Sequence, residues 1–226
     1  MSSSRDAFRL LKSDGVRSDI EASTMLRKAI LRLHSAGANS SREFAKAVEK
    51  LRLNASDTAI VARRWIDAAG QDVVLRWSLV YVLAAVRHEA YLDLLRGEAM
   101  RRPPERVRLP GKCEVSDSAE LVIVMAIHGL EYLAQAGEDR AVDGLLEVIE
   151  RQERKWLREP AARAVIRVRP ELRQRVEELL PADERYVLTL REATMEDFSV
   201  RPGKARKSAS PRQPSVAPPQ LPSELP

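Results

Sequence analysis

Asp72-Val-Val-Leu-Arg-Trp-Ser-Leu-Val-Tyr-Val-Leu-Ala-Ala-Val86 decides the fold. Twelve of the 14 residues from Val73 to Val86 are apolar; the exceptions are Arg76 and Ser78. The run contains no Gly or Pro and is too short for the roughly 20 residues of a membrane span. A helix that is apolar nearly all round is buried among other helices. A second such run, Ala119 to Ala134, has 12 apolar positions of 16. The segments around these two are amphipathic. In Ala59-Ile-Val-Ala-Arg-Arg-Trp-Ile-Asp-Ala-Ala69, Val61, Trp65 and Ala68/Ala69 form one stripe, and Arg63, Arg64 and Asp67 lie off it. The chain therefore reads as all-α.

Cap signals punctuate the helices. Ser18-x-x-Glu21 and Ser40-x-x-Glu43 have the spacing of capping boxes, and Asp117-x-x-Glu120 is an Asp version. Gly37, Gly70 and Gly137 stand where helices stop, and Pro160 and Pro170 suit first turns. The pattern predicts helices near 5–13, 19–35, 41–53, 57–69, 73–87, 89–100, 118–136, 139–156, 160–168, 171–180 and 183–195. Arg185 to Leu190 also suits a short strand. Arg76, lodged in an apolar helix, calls for a partner, and Asp72 one turn earlier is the first candidate.

The 226 residues are 44% hydrophobic and 31% charged, as in a soluble globular protein. Nine glycines and 4% aromatics argue against a β-sandwich. One cysteine excludes a disulfide scaffold and a cysteine-based zinc site. The first residues form no apolar leader and no run is long enough to cross a membrane, so a cytoplasmic protein without membrane insertion is expected. The formal charge is +5, but 199–226 holds five bases and one acid. Seven of the 13 prolines follow residue 201. Such a segment has too few apolar side chains to offset the entropy of ordering. The expected organisation is a helical domain over 1–198 and a disordered, basic, Pro-rich tail over 199–226.

Helix pairs recur. Leu83-Ala-Ala-Val86 followed by Ala90 to Leu95 is one unit. Leu130-Glu-Tyr-Leu133 followed by Ala141 to Leu146 is the next, and Val165-Ile-Arg-Val168 followed by Leu172 to Leu179 is a third. Once about 20 extra residues around 97–117 are set aside, the units repeat at about 30 residues, a period typical of stacked helix pairs. These residues, with Asp72-Val-Val-Leu-Arg76 opening a buried helix, resemble the HEAT-repeat family over about 57–180. The resemblance implies an α-solenoid, and a scaffold or adaptor that binds partners along a curved surface. In that family an Asp and an Arg ladder along neighbouring repeats; here Asp72 and Arg76 match and the other units depart.

Little in the sequence suggests catalysis. His34, His88 and His128 are too far apart for a helical metal pair, and His88-Glu89 lacks the second His of a zinc protease motif. Deoxyhypusine hydroxylase, a HEAT-type enzyme, holds iron with several His-Glu dipeptides; this chain has one. His128 is expected as a hydrogen-bonded core residue. Cys113 has no partner base nearby. The glycines are scattered rather than gathered in a phosphate loop, and pairs such as Glu177/Glu178 alternate with bases on amphipathic helices. No cofactor, metal or catalytic residue is assigned.

Two basic regions are candidate binding sites. Arg151 to Arg175 holds nine bases against three acids, including Arg151, Arg154, Lys155, Arg158, Arg163 and Arg167. The inserted segment from Met100 to Lys112 carries Arg101, Arg102, Arg106, Arg108 and Lys112, stiffened by Pro103, Pro104 and Pro110. The favoured reading is a non-enzymatic adaptor that binds a protein through its helical-repeat surface and this arm. The alternative is nucleic-acid binding through the basic ridge and tail. Some HEAT-like DNA glycosylases hold damaged DNA with Trp and Asp. Trp65, Trp77 and Trp156 fit core packing better.

Overall fold

The computed structural model describes residues 17–37, 39–102 and 115–189. The expected helix at 5–13, the tail at 199–226 and the arm residues Arg106, Arg108 and Lys112 lie outside them. Everything described falls within one compact unit, 1–190. Among the described residues all regular structure is helical: α1 (Arg17–Leu33), α2 (Ser40–Leu53), α3 (Ala55–Ala69), α4 (Val73–Val86), α5 (Leu92–Ala99), α6 (Val115–Gln135), α7 (Asp139–Arg151), α8 (Lys155–Val168) and α9 (Arg173–Leu179). Short 3₁₀ turns cover Glu89–Tyr91, Pro170–Leu172 and Ala182–Thr189, so the described residues 185–189 of the segment considered as a strand are helical instead. No described helix is long and apolar enough to cross a membrane.

Spacing explains what each helix buries. In α1, Ala22, Leu26, Ala29 and Ile30 recur on one face and are buried; α7 does the same with Ala141, Val142, Leu145, Val148 and Ile149. The long helices make a row: α4 packs on α6, and α6 on α8. The shorter helices follow suit, with α5 touching α7 and α7 touching α9, while each also packs against the long helix before it. Leu79, Leu83, Leu95, Ile127, Leu130 and Leu145 lie fully buried between the rows. Each contributes about 1.5–3 kcal/mol of apolar burial. Gly129 lets α6 close on its neighbours, because a Cβ there would meet Leu95 methyls at 2.9 and 3.0 Å and Ala84 Cβ at 3.1 Å.

Several local expectations change. Ser18 lies inside α1 rather than ahead of it, and Asp117 inside α6. Asn39, not Ser40, precedes α2; Ser40 Oγ donates to Gly37 C=O and Glu43 pairs with Lys46, so no capping box forms. Gly37, Gly70 and Gly137 do adopt positive φ, and Gly137 closes α6 with Glu138 N–H bonding Leu133 C=O. The helix expected over 139–156 breaks at Gln152. That side chain is buried and donates to the carbonyls of Ala99 and Arg101 at 2.7 and 3.1 Å. The next helix starts at Lys155, which leaves Pro160 inside α8 instead of in its first turn. On α3, Ala69 is buried while Ala68 is exposed.

Arg76 is buried, but its partner is not Asp72. Asp72 accepts from Leu75 N–H as the N-cap of α4. Arg76 instead grips both carboxylate oxygens of Glu98 at the end of α5 and donates to Gly70 C=O at 3.0 Å. Arg158 repeats this arrangement. It too is the fourth residue of its helix, it donates to the carbonyl of Gln152 six residues earlier, and it holds both oxygens of Glu184. When Leu83 and Val165 are aligned, Arg76 falls on Arg158.

Candidate functional face

One line of α4 escapes burial. Trp77, Tyr81 and Ala85, each one turn apart, are only half-buried. The Trp77 ring lies 5.2 Å from that of Tyr81, and Tyr81 lies 6.0 Å from Phe44 of α2. His34, just past α1, is 6.4 Å from Trp77. These separations are in the favourable range for tilted aromatic pairs. Beside the line, α6 contributes Met125, His128 and Tyr132, and a cavity of about 300 Å³ opens between the two helices. Ala84 and Ala85 are its small residues, which leave room between the rings of Tyr81 and Tyr132.

The charges at this face are ordered. Glu131 is buried and bonds Arg167 of α8 and, at 3.4 Å, His128 Nδ1. Burial opposes the charge on Glu131, yet the His128 and Arg167 contacts outweigh it and hold the carboxyl below its ordinary value. His128 is therefore hydrogen-bonded as expected, but it is half-exposed and lines the cavity rather than lying in the core. Arg87 lies over the Tyr132 ring, 4.3 Å from its centroid.

A second contact near the face looks catalytic but is not built for it. His34 Nε2 lies 2.7 Å from Ser78 Oγ. Ser78 is buried and donates its single hydroxyl proton to Val74 C=O at 2.8 Å. His34 must then be the donor to Ser78, so it cannot act as its base. His88 Nδ1 accepts from Ala90 N–H and serves as a cap. Among the described residues no three His, Cys, Asp or Glu side chains gather as a metal site requires.

Most of the described basic residues singled out in the sequence are engaged by acids of the same chain. Arg151 pairs with Glu147 at 2.9 Å, Arg154 with Glu120, Arg158 with Glu184 and Arg167 with Glu131. Lys155 sits on the Tyr186 ring at 4.6 Å. Arg163 is exposed. Arg101 and Arg102 border a separate cleft of about 240 Å³, whose wall includes the Arg76–Glu98 pair. Arg101 lies 3.7 Å from Glu98, and Arg102 lies 3.7 Å from Glu153.

Tyr81, Arg87, His128 and Tyr132 were not legible as a site in the sequence. The available signal was the repeat itself. With Leu83, Leu130 and Val165 equivalent, Tyr81 corresponds to His128 and Arg163, and Ala85 to Tyr132 and Arg167. Polar and aromatic residues thus occupy one helical position in all three units. Compared with known proteins, the chain matches no family model, no curated protein and no solved structure.

Proposed function

We propose that the chain is a non-enzymatic adaptor of the HEAT-like, helical-repeat kind, which binds a partner protein through the face of α4, α6 and α8. The observation that carries this reading is the half-buried aromatic line, continued by cavity-lining residues of α6. A monomer gains nothing by leaving Trp77 and Tyr81 half in water, whereas aromatic side chains with one wet edge are the usual anchors of interfaces. The two rows of helices in register support the solenoid reading. The inserted arm, anchored at Arg101 and Arg102, is a second contact region.

Nucleic-acid binding is the weaker reading. A phosphate track needs cations free to meet it, and Arg154, Arg158 and Arg167 are engaged by acids of the same chain. The test is affinity capture from the native host, with and without nuclease. The adaptor reading expects a protein retained after nuclease treatment and lost with Tyr81→Ala. It also expects a Gly/Ser linker in place of 102–112 to weaken capture at an unchanged melting temperature. Capture abolished by nuclease alone would favour nucleic acid.

A further inference from the structure

Arg87 occupies a backbone conformation that suits glycine. It ends α4 with φ 54° and ψ 48°, in the left-handed region that side chains with a Cβ enter at a cost. It is the one non-glycine residue with positive φ among the described residues; Gly37, Gly70 and Gly137 take the others. Glycine at 87 would end the helix with less strain. What arginine adds is a guanidinium over Tyr132, at the rim of the cavity between α4 and α6. An observed backbone outlier beside a cavity points toward function.

The guanidinium also differs from several other arginines of the chain in what it bonds. Arg76, Arg96, Arg140 and Arg158 each hold a carboxylate of this chain. Among the described residues none is paired with Arg87, and no acid lines the cavity. Its lining is apolar or aromatic except for Arg87 and His128. Glu131, the acid next to His128, is already held by Arg167.

We infer that this cavity binds an acidic peptide segment. A large aromatic or apolar side chain of the segment lies between Tyr81 and Tyr132, and a neighbouring Asp or Glu carboxylate bonds Arg87. The inference deepens the adaptor reading and rests on it. Charge complementarity selects the occupant: one unpaired guanidinium above an apolar pocket matches one carboxylate beside one apolar group. A nucleic-acid strand would need a run of unengaged cations along the face; Arg163 is exposed, but Arg167 beside it is held by Glu131. A planar guanidinium accepts a carboxylate in a two-pronged bond, and lying on Tyr132 pre-orients it to do so.

The test is a titration of the full, isotope-labelled chain followed by NMR. The probes are the blocked dipeptides Trp-Glu, Trp-Gln and Ala-Glu and a short oligothymidylate. Trp-Glu is expected to shift the ring signals of Tyr81 and Tyr132. Trp-Gln and Ala-Glu are expected to bind about tenfold more weakly, since each lacks one of the two contacts. Arg87→Gly is expected to bind Trp-Glu no better than the wild-type chain binds Trp-Gln, with an undiminished melting temperature. Equal binding of Trp-Glu and Trp-Gln, preferential binding of the oligothymidylate, shifts confined to another face, or no binding at all would each overturn the inference. The two readings fail separately. If Tyr81→Ala loses the captured partner and Arg87→Gly retains it in full, the adaptor stands and the acidic anchor falls. If the wild-type chain captures no protein yet binds Trp-Glu as stated, the adaptor falls and the site stands.

Discussion

At the residue scale the buried Arg76–Glu98 pair has the most at stake. Burial pushes the Glu98 carboxyl up, and Arg76 pulls it only part of the way back. The pair is held in place by a third contact, from Arg76 to Gly70 C=O. Removing the arginine leaves the buried Glu98 carboxylate with the half-exposed Arg101, 3.7 Å away, as its remaining counter-charge; breaking a desolvated pair costs about 3–5 kcal/mol, and Arg101 offsets part of that. Arg76→Met is therefore expected to destabilise the chain strongly at neutral pH. The sign of its pH dependence follows. Glu98 in the variant has a folded-state pKa raised further above its unfolded value, so the penalty is full above the folded pKa. It shrinks as pH falls through that value and vanishes below the unfolded one. The double variant Arg76→Met, Glu98→Leu removes both charges and should recover most of the loss. Urea denaturation of the three proteins at neutral and acid pH checks this; a single variant as stable as wild type would show that the pair contributes nothing. The sequence announced that Arg76 needed a partner, but not which one. Asp72 was nearer in the chain, yet the orphan N–H groups of α4 claim it as a cap. Glu98 is reached only once α5 folds back.

At the element scale the helices were legible because their apolar periods are strong, and the breaks were less so. Pro160 suggested a start that the chain makes five residues earlier. The side-chain amide of Gln152 ends α7 by bonding two carbonyls from a distant turn, and nothing local foretells that. Nor did the sequence show that α4 keeps a wet edge: twelve apolar residues of fourteen read as burial all round, but Val74 is 62% exposed and the Trp77–Tyr81 line is half-buried. Hydrophobicity measures the tendency to be buried and cannot count the neighbours available to do it. The Arg76 and Arg158 clamps belong to this scale too, since both sit at the fourth residue of a long helix and tie its start to an element later in the chain. Packing between elements gives a sharp prediction at Gly129. Alanine is the better helix former by about 1 kcal/mol, so on propensity alone Gly129→Ala should stabilise α6. Its Cβ would press on Leu95 at 2.9 Å and on Ala84 Cβ at 3.1 Å, and Ala84, having no further torsion, cannot turn aside. Overpacking of this kind costs about 1–3 kcal/mol, so the crowding wins and the net effect should be a loss. Thermal denaturation decides: a rise in melting temperature would mean that α4, α5 and α6 separate freely.

At the scale of the whole molecule, helices packed in a row leave the last long helix of the described residues dependent on whatever covers it. For α8 that cover is α9 together with the 3₁₀ turn Ala182–Thr189. The turn carries Glu184, which holds Arg158, and Val187, which is 2% exposed. The Glu184 bond raises the pKa of Arg158, burial lowers it, and the bond prevails. The sequence placed this segment in a helix but gave no sign that it seals the stack, because its apolar residues are few and its key contact is ionic. Cutting the chain after Pro181 should therefore do more than shorten it. Arg158 loses its counter-charge, and the α8 surface under Val187 is opened to water, at a combined cost of about 3–5 kcal/mol. For a chain of this size that corresponds to a melting temperature lower by roughly 10 °C. Cutting after residue 198 removes only the Pro-rich stretch with its five bases and one acid, and should leave the melting temperature where it was. Calorimetry on chains 1–181, 1–198 and 1–226 separates the cases. A stable 1–181 chain would show that α8 needs no cover, and the picture of a stack closed at its C-terminal end would then fail.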